Sequence, residues 1–228
     1  AEDALSVGVD VLFAPVVDVM SDATNPIVGH RAYGWDPQRV ATLGAAFMRG
    51  ALRAGALPVA KHFPGHGATT TDSHDEVPEV RARADVLEAR DLLPFEQTIA
   101  SGVCPAVMTA HVRYPALDPS GVIATFSPAI VDRVRRAAPD AEDVAVFTDA
   151  LCMQGACAGI GEVEAARRAL RGRTRAERLQ TRRPHTFLPK IGNPDCIQGS
   201  QVACGGNFRR RSLDQLAQCL HRIESRGL

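Results

Sequence analysis

One short segment gathers most of the side chains that could do acid–base or nucleophilic chemistry. Residues 61–74, KHFPGHGATTTDSH, carry one Lys, three His, one Asp and three Thr around a Pro-Gly turn. The apolar run ALPVA, residues 56–60, comes directly before them. An apolar run that leads into a Gly-rich polar loop is typical of a strand that delivers reactive side chains to a site. We therefore predict that this loop holds functional residues.

The elements around this loop follow the pattern of βα units up to about residue 156. Apolar runs of strand length alternate with stretches of helical apolar spacing, which predicts a parallel sheet covered by helices and an α/β fold. The predicted strands are residues 9–14, 57–62, 106–110 and 144–147. The predicted helices are residues 37–54, 84–100 and 128–137, with two more at 161–170 and 212–223 after the pattern decays.

Polar side chains stand at or just after the end of each predicted strand. Asp18 follows the first strand, Lys61 and His62 close the second, His111 follows the third and Asp149 follows the fourth. Because the carboxyl ends of parallel strands meet at one edge, where α/β barrels carry their active sites, we expect these side chains to form one site.

The composition is that of a globular domain. The chain has 228 residues, of which 45% are apolar, and this length is near the roughly 250 residues of an α/β barrel. No run approaches the roughly 18 apolar residues of a membrane span, and no signal peptide is recognisable, so a cytoplasmic location is expected. The first residue is Ala, however, and we expect that a leader or further domain has been lost upstream.

Charge divides the chain into two regions. Residues 1–166 hold 12 basic and 22 acidic residues, whereas residues 167–228 hold 14 basic and 4 acidic residues. We therefore predict a partial barrel domain at 1–166 and an Arg-rich tail at 167–228 without a convincing buried strand in 171–211. Two explanations for this Arg-rich region are a shifted reading frame in a GC-rich gene and a tail that binds nucleic acid. The Arg pairs lack interleaved aromatic residues, so no nucleic-acid partner is expected.

Five motifs stand in order along residues 1–156: FAPVVDV, KHFPGHG, DSH, VMTAHVRYPALDP and FTDALCMQGA. Together they resemble family 3 glycoside hydrolases, in the bacterial β-N-acetylglucosaminidase branch. The resemblance implies a (β/α)8 barrel of the TIM type, incomplete in this chain. It further implies an enzyme that needs no cofactor, takes an N-acetylglucosamine-containing saccharide as its partner and recycles cell-wall fragments.

The resemblance also assigns the reacting groups. Asp149 is the implied nucleophile, which attacks the anomeric carbon to form a covalent glycosyl-enzyme that water hydrolyses with retention. His74 is the implied proton donor and acceptor, and Asp72 would orient its ring and favour the charged form. The alternatives are that Asp149 caps a helix beginning near Leu151 and that His74 is a solvent-exposed loop residue.

Three further residues are implied in substrate binding. Lys61 and His62 would donate hydrogen bonds to sugar hydroxyls, and Arg31 would contact the substrate. The alternatives are a solvated ammonium for Lys61 and a loop-bracing salt bridge for Arg31.

The residues around the loop receive supporting roles. Asp18 and His111 are expected to shape the floor of the site, and His66 to be structural. Gly65 and Gly67 are expected to form the turn on which the loop swings over bound sugar.

Metal binding is the other chemistry that this loop could support, because it holds three His side chains. A spacing of four between His62 and His66 suits a helix face, but Pro64 and Gly65 between them oppose a helix. No metal site is therefore expected.

The chain departs from the family at both ends. The Gln-Glu-Gly-Gly segment that supplies more of the sugar pocket is missing, and no strand like Ala-Gly-Ala-Asp follows Asp149. The first and last strands of a closed barrel are neighbours, so we expect one contiguous gap and a poorly soluble or inactive fragment.

Three functions remain open at this level. The first is a β-N-acetylglucosaminidase, and the second is a catalytically inactive, sugar-binding relic of that family. The third is a β-glucosidase of the same family, against which the Asp72 and His74 pair argues. No motif in the sequence indicates whether the saccharide is a muropeptide, a chitin fragment or a glycoprotein glycan.

Overall fold

The computed structural model of the protein describes residues 1–70, 77–138 and 144–172, and the backbone of residues 203–204. Asp72, His74 and the predicted helix 212–223 lie outside the described residues. The described α-helices are α1 Glu2–Ser6, α2 Pro37–Ala54, α3 Ala84–Val86, α4 Leu93–Ala100, α5 Pro128–Ala137, α6 Gln154–Cys157 and α7 Glu162–Arg171. The strands are β1 Val11–Leu12, β2 Leu57–Pro58, β3 Ala60–Phe63, β4 Ala106–Thr109, β5 Ala145–Thr148 and β6 Ala203–Cys204.

Strands form at all four predicted places and run parallel, but the predicted strand 57–62 is divided at Val59 into β2 and β3. β1 pairs with β2, and β3, β4 and β5 pair in that order, each connection passing through helix. A further parallel bridge joins Val16 to Lys61, so the chain after β1 stays beside β3. The parallel order brings the carboxyl ends of β1, β3, β4 and β5 to the same edge.

Alternation along the strands separates two apolar layers. Ala60, Val107 and Val146 belong to the large core that the helices cover. Their neighbours Ala106 and Met108 belong to a second cluster, which also includes Val59 and contacts Val11, Ala145 and Phe147. Because successive strand residues point to opposite faces, the short apolar runs supply both the helix-covered layer and the opposite layer of the sheet.

Helix α2 has the predicted bounds and carries signals for both of its ends. The Asp36 carboxylate accepts hydrogen bonds from the backbone N–H groups of Gln38 at 2.8 Å and Arg39 at 3.1 Å, and Pro37 is the first helical residue. Gly55 ends the helix in the left-handed conformation, with a φ of 94°. The apolar face between these ends packs against the sheet and α4.

The region predicted as one helix at 84–100 contains three helical pieces. Between α3 and α4 the residues Leu87–Leu92 form a π-helical turn. Pro94 has no N–H to donate to the carbonyl of Arg90 four residues earlier, so the regular α-helical ladder cannot run through this point. The prediction of helix over 84–100 is confirmed, with a π-helical turn at Leu87–Leu92 that the sequence pattern did not indicate.

The helix predicted at 161–170 forms as α7, Glu162–Arg171. Helix α7 extends across residue 166, where the domain boundary was placed, and the division into 1–166 and 167–228 stays a prediction. The short strand β6 lies within residues 171–211, where no convincing buried strand was predicted, and it pairs antiparallel with β5. Within the described ranges, no helix combines the length and apolar character that crossing a bilayer requires.

We predict that Asp36→Ala lowers the free energy of unfolding by about 1 kcal/mol, because two N–H groups at the start of α2 lose their acceptor. Urea titration followed by circular dichroism measures this loss. Asp36→Asn is the matched control, since an Asn side chain also caps helices and should restore most of the stability. Equal losses in both variants would contradict the capping role.

Candidate active site

The end of β3 and the chain after β1 meet at the carboxylate of Asp18. Asp18 is completely buried. The backbone N–H of His62 lies 3.1 Å from both of its oxygens, and the backbone N–H of His66 donates to Oδ1 at 2.7 Å. The ring nitrogen Nδ1 of His62 lies 2.7 Å from Oδ2. One buried carboxylate therefore binds three nitrogen atoms of the segment that follows Lys61.

These contacts decide the charge state of Asp18. Burial alone would raise the pKa of its carboxyl, but the charges and hydrogen bonds of His62 and His66 outweigh burial and lower that pKa below the ordinary value. Asp18 is therefore a carboxylate at neutral pH. The sequence predicted Asp18 as part of the floor of the site, and its buried position beneath His62 agrees with that.

The imidazole of His62 joins Asp18 to Asp149. While Nδ1 contacts Asp18, Nε2 lies 4.0 Å from Oδ2 of Asp149. The His62 side chain is 6% exposed, whereas the Asp149 side chain is 22% exposed at the end of β5. The Asp149 carboxylate is thus partly open to solvent, and its Oδ2 atom faces a buried histidine.

The local structure after β5 excludes the helix-capping alternative for Asp149. Helix α6 begins at Gln154 with Met153 as its N-cap, so no helix starts near Leu151. Oδ1 of Asp149 instead accepts a hydrogen bond from the N–H of Ala150 at 2.8 Å. This leaves Oδ2 directed at the site.

His111 holds the turn that follows Asp149. Its Nε2 lies 3.1 Å from the carbonyl oxygen of Ala150, and its Nδ1 lies 2.8 Å from Oγ1 of Thr125. A carbonyl oxygen can only accept, so Nε2 carries the hydrogen. Burial lowers the pKa of His111, which keeps the ring neutral. His111 therefore connects the end of β4 to the residue after Asp149.

Lys61 and Arg31 bring positive charge to the same edge. Burial lowers the pKa of the half-buried Lys61 ammonium; the Asp149 carboxylate opposes this shift and the Arg31 guanidinium adds to it. The Arg31 guanidinium donates to the carbonyl oxygen of Ile27, which fixes it at the exposed end of a 3₁₀ turn. In the described part of the chain it braces its loop through this carbonyl group, and the predicted alternative, a salt bridge, is not found there.

Buried hydrogen bonds hold the segment after His62 in place. Nδ1 of His66 lies 2.7 Å from Oγ1 of Thr69, and the Asn25 amide donates to the carbonyl oxygen of His66 at 2.8 Å. Burial, and secondly the nearby His62, lowers the pKa of His66 to about 4. His66 is therefore neutral near pH 7, as a structural histidine would be.

Two glycines let this segment approach its neighbours closely. Gly65 has a φ of 130°, and a Cβ atom built on it would lie 2.7 Å from Cβ of Asp91. A Cβ atom on Gly67 would lie 1.6 Å from the carbonyl oxygen of Val19. Tyr114 fixes the same turn by donating its hydroxyl hydrogen to the carbonyl oxygen of Gly65 at 2.8 Å. These glycines serve close packing, and their predicted role as a hinge stays a prediction.

The structure therefore brings together five of the residues singled out by the sequence: Asp149, His62, Lys61, Asp18 and His111. Arg31 lies near enough to Lys61 to influence its pKa. Nothing is described for Asp72 and His74. Among the described residues, no group of three or more His, Cys, Asp or Glu side chains is arranged to hold a metal ion.

The sequence did not single out Asn25 and Tyr114, although both hold the loop. Asn25 also accepts hydrogen bonds from the N–H groups of Ile27 and Val28, both at 2.8 Å. An Asn-Pro pair is a turn signal, and this signal could have identified Asn25 as a loop organiser. Tyr114 lies 49 residues from its partner Gly65, and no local sequence pattern indicates that contact.

A parallel α/β sheet with a carboxylate, a lysine and a histidine at its carboxyl edge defines a barrel-type enzyme site. The chain belongs to glycosyl hydrolase family 3, since it matches that family's N-terminal domain over residues 1–174. The family and the α/β barrel class predicted from the motifs are thus confirmed.

Known relatives agree with this assignment. The chain is 42% identical over 165 residues to a beta-hexosaminidase of Thiobacillus denitrificans, covering 72% of this chain and 44% of the relative. It is 41% identical over 160 residues to beta-hexosaminidase A of Pseudoalteromonas piscicida, covering 66% of this chain and 27% of the relative. The chain thus spans less than half the length of these two relatives.

A solved structure from the same family is also similar to this chain. A glycoside hydrolase family 3 beta-N-acetylglucosaminidase from Paenibacillus sp. str. FPU-7 superposes with a TM-score of 0.70 at 36% sequence identity. The superposition covers 75% of this chain and 32% of that chain.

We predict that Gly67→Ala destabilises the protein by about 3 kcal/mol or more, because its methyl group would overlap the backbone carbonyl of Val19. Thermal unfolding measures the effect. Gly50→Ala is the control: Gly50 lies inside α2, and nothing stands within 4 Å of a Cβ atom built there. That change should raise stability by up to about 1 kcal/mol. A Gly67→Ala protein as stable as wild type would refute the close approach.

Proposed function

We propose that the protein is a retaining glycosidase that removes terminal β-linked N-acetylglucosamine from cell-wall or chitin-type saccharides. Membership of the family and the β-hexosaminidase names of its relatives support this reaction class. The observation that carries the proposal is the placement of Asp149. Its carboxylate stands partly exposed at the carboxyl edge of the sheet, beside the ring of His62 and within the field of Lys61.

Asp149 is the proposed nucleophile. In the first step a lone pair of its carboxylate forms a bond to the anomeric carbon while the bond from that carbon to the leaving oxygen breaks. In the second step water attacks the same carbon and releases the carboxylate, so the configuration is retained. Oδ2 suits this role because the N–H of Ala150 binds the other oxygen of the carboxyl group.

His74 is the proposed acid and base, with Asp72 as its partner. It would give a proton to the leaving oxygen in the first step and take one from the attacking water in the second. An imidazole has an ordinary pKa of about 6.5, so it can do both near neutral pH. Of the described histidines near Asp149, His66 and His111 are poor candidates for this task, since burial lowers the pKa of both. His62 is a proposed sugar-binding residue, and its Nδ1 is already bound to Asp18.

Lys61, His62 and Arg31 are the proposed sugar-binding residues. The ammonium of Lys61 and the guanidinium of Arg31 can donate to hydroxyl oxygens. Burial has already removed part of the water around the Lys61 ammonium, which lowers its pKa and leaves less water to displace when a hydroxyl binds. A role in recycling cell-wall fragments would place the protein in the cytoplasm, and cell fractionation tests that location.

We predict that Asp149→Asn lowers hydrolysis of a chromogenic aryl β-N-acetylglucosaminide by about 10³-fold or more, because an amide is a far weaker nucleophile than a carboxylate. Asp118→Asn is the control, since the Asp118 carboxylate accepts its hydrogen bonds from Ser120 and Ser127, and its loss should spare turnover. Isolation of a sugar ester on the peptide that contains Asp149, after reaction with a slow fluorinated substrate, would identify the nucleophile directly. Saturable binding of N-acetylglucosamine without turnover in any variant would instead favour the sugar-binding relic.

We predict that His74→Ala lowers kcat for the same substrate class by about 10²- to 10⁴-fold, the usual contribution of general acid–base catalysis. The loss in glycosylation should grow as the leaving group becomes more basic, because such groups depend most on a proton donor. A series of aryl glycosides with graded phenol acidity measures this trend. A uniform loss across the series would argue against His74 as the acid and leave it a structural role.

A further inference from the structure

Asp18 has a contact set that points beyond shaping the floor of the site. All three of its donors belong to the segment that delivers Lys61 and His62, and the carboxylate is fully buried. A buried carboxylate costs several kcal/mol of lost hydration unless hydrogen bonds replace the water. Here the replacement comes from two backbone N–H groups and one ring nitrogen, so the position of the ring is tied to that of the backbone.

The tautomer of His62 follows from the chemistry of its partner. A carboxylate oxygen can only accept, so the short contact between Oδ2 of Asp18 and Nδ1 of His62 requires a hydrogen on Nδ1. That hydrogen is in place whether the ring is neutral or protonated. Nε2 is therefore the only ring atom of His62 that can gain or lose a proton.

Nε2 faces a gap that one oxygen atom can bridge. The distance from Nε2 to Oδ2 of Asp149 is 4.0 Å, too long for a direct hydrogen bond. A hydroxyl oxygen about 2.8 Å from each atom satisfies the triangle that this distance sets. The exposed side of Asp149 gives a hydroxyl access to this position.

We propose that Asp18 is a positioning residue, which fixes His62 in the Nδ1–H form so that Nε2 alone exchanges hydrogen bonds with a sugar hydroxyl bound between His62 and Asp149. The inference rests on the proposed glycosidase function for the identity of that hydroxyl group. In this proposal Asp18 contacts neither the sugar nor Asp149 and acts only through the ring of His62.

An amide cannot replace the carboxylate in this arrangement. Asn at position 18 has one accepting oxygen and one donating NH2 group, but both Asp18 oxygens face N–H donors. If the NH2 group points at His66, two donors oppose each other. If it points at His62, Nδ1 has to accept and the hydrogen moves to Nε2. Asp18→Asn is therefore a test of tautomer at nearly constant volume.

The first experiment reads the tautomer without requiring turnover. Long-range ¹H–¹⁵N correlation spectra of uniformly labelled protein at neutral pH distinguish a protonated from an unprotonated ring nitrogen, and His62→Gln assigns the signal. We expect a protonated Nδ1 in wild type and a hydrogen shifted to Nε2 in Asp18→Asn. Asp118→Asn is the matched control, because this buried carboxylate binds Ser120 and Ser127 and should leave the His62 signals unchanged. A wild-type ring with an unprotonated Nδ1 overturns the proposal even if the variant does not fold.

The second experiment is a double-mutant cycle on hydrolysis of the chromogenic substrate. Asp18→Asn should lower kcat/KM about tenfold in the wild-type background and by less than about twofold in a His62→Ala background, because its effect passes through the ring. Equal losses in both backgrounds would show an action independent of His62 and refute the positioning role. The two experiments separate the hypotheses: a tautomer change without hydrolysis supports Asp18 and rejects the glycosidase, whereas hydrolysis with an unchanged tautomer does the reverse.

Discussion

The arrangement of the site depends on one buried carboxylate. Asp18 accepts from the backbone of His62, the ring of His62 and the backbone of His66, and no water can take over these contacts because the residue is completely buried. Removing one partner of a buried charge costs about 3–5 kcal/mol, which is a large share of the stability of an ordinary domain. The segment from Lys61 to His66 is therefore held where the carboxylate requires it, and the rest of the loop begins from a fixed base.

The barrel strands provide the conditions under which that carboxylate can act. Val17 and Val19, the neighbours of Asp18, are fully buried and belong to the helix-covered core. Alternation along this extended segment sends Asp18 to the opposite face, toward the end of β3. Packing against α2 is close, because a Cβ atom on Gly44 would lie 2.6 Å from Cγ1 of Val17. The packing of Val17 and Val19 thus fixes the position of the Asp18 carboxylate, and that carboxylate fixes the segment from Lys61 to His66.

Sequence reasoning located the strands and most of the site because both rest on local patterns. The ends of β3 and β5 are marked by apolar runs that stop at Lys-His and Thr-Asp, and these runs give Lys61, His62 and Asp149 their places. The helix over 84–100 was predicted, but its π-helical turn at Leu87–Leu92 was not, although Pro94 carried a local signal for it. The contacts of Asp18 with His62 and of Tyr114 with Gly65 join residues 44 and 49 positions apart, and no spacing rule encodes such pairs.

The charged groups around Asp149 suit its proposed role as nucleophile, in which the carboxylate would lose its charge when the new bond forms. A nucleophilic carboxylate held in a direct ion pair would lose reactivity, because the pair has to be broken as the charge moves into the new bond. The Asp149 charge opposes the lowering of the Lys61 pKa by burial, but in the described part of the chain no contact ion pair joins the two residues. His62 stands 4.0 Å away, with its other nitrogen committed to Asp18. Oδ2 of Asp149 is therefore held by no close ion pair with Lys61 or His62, which leaves it accessible for the proposed attack on an anomeric carbon.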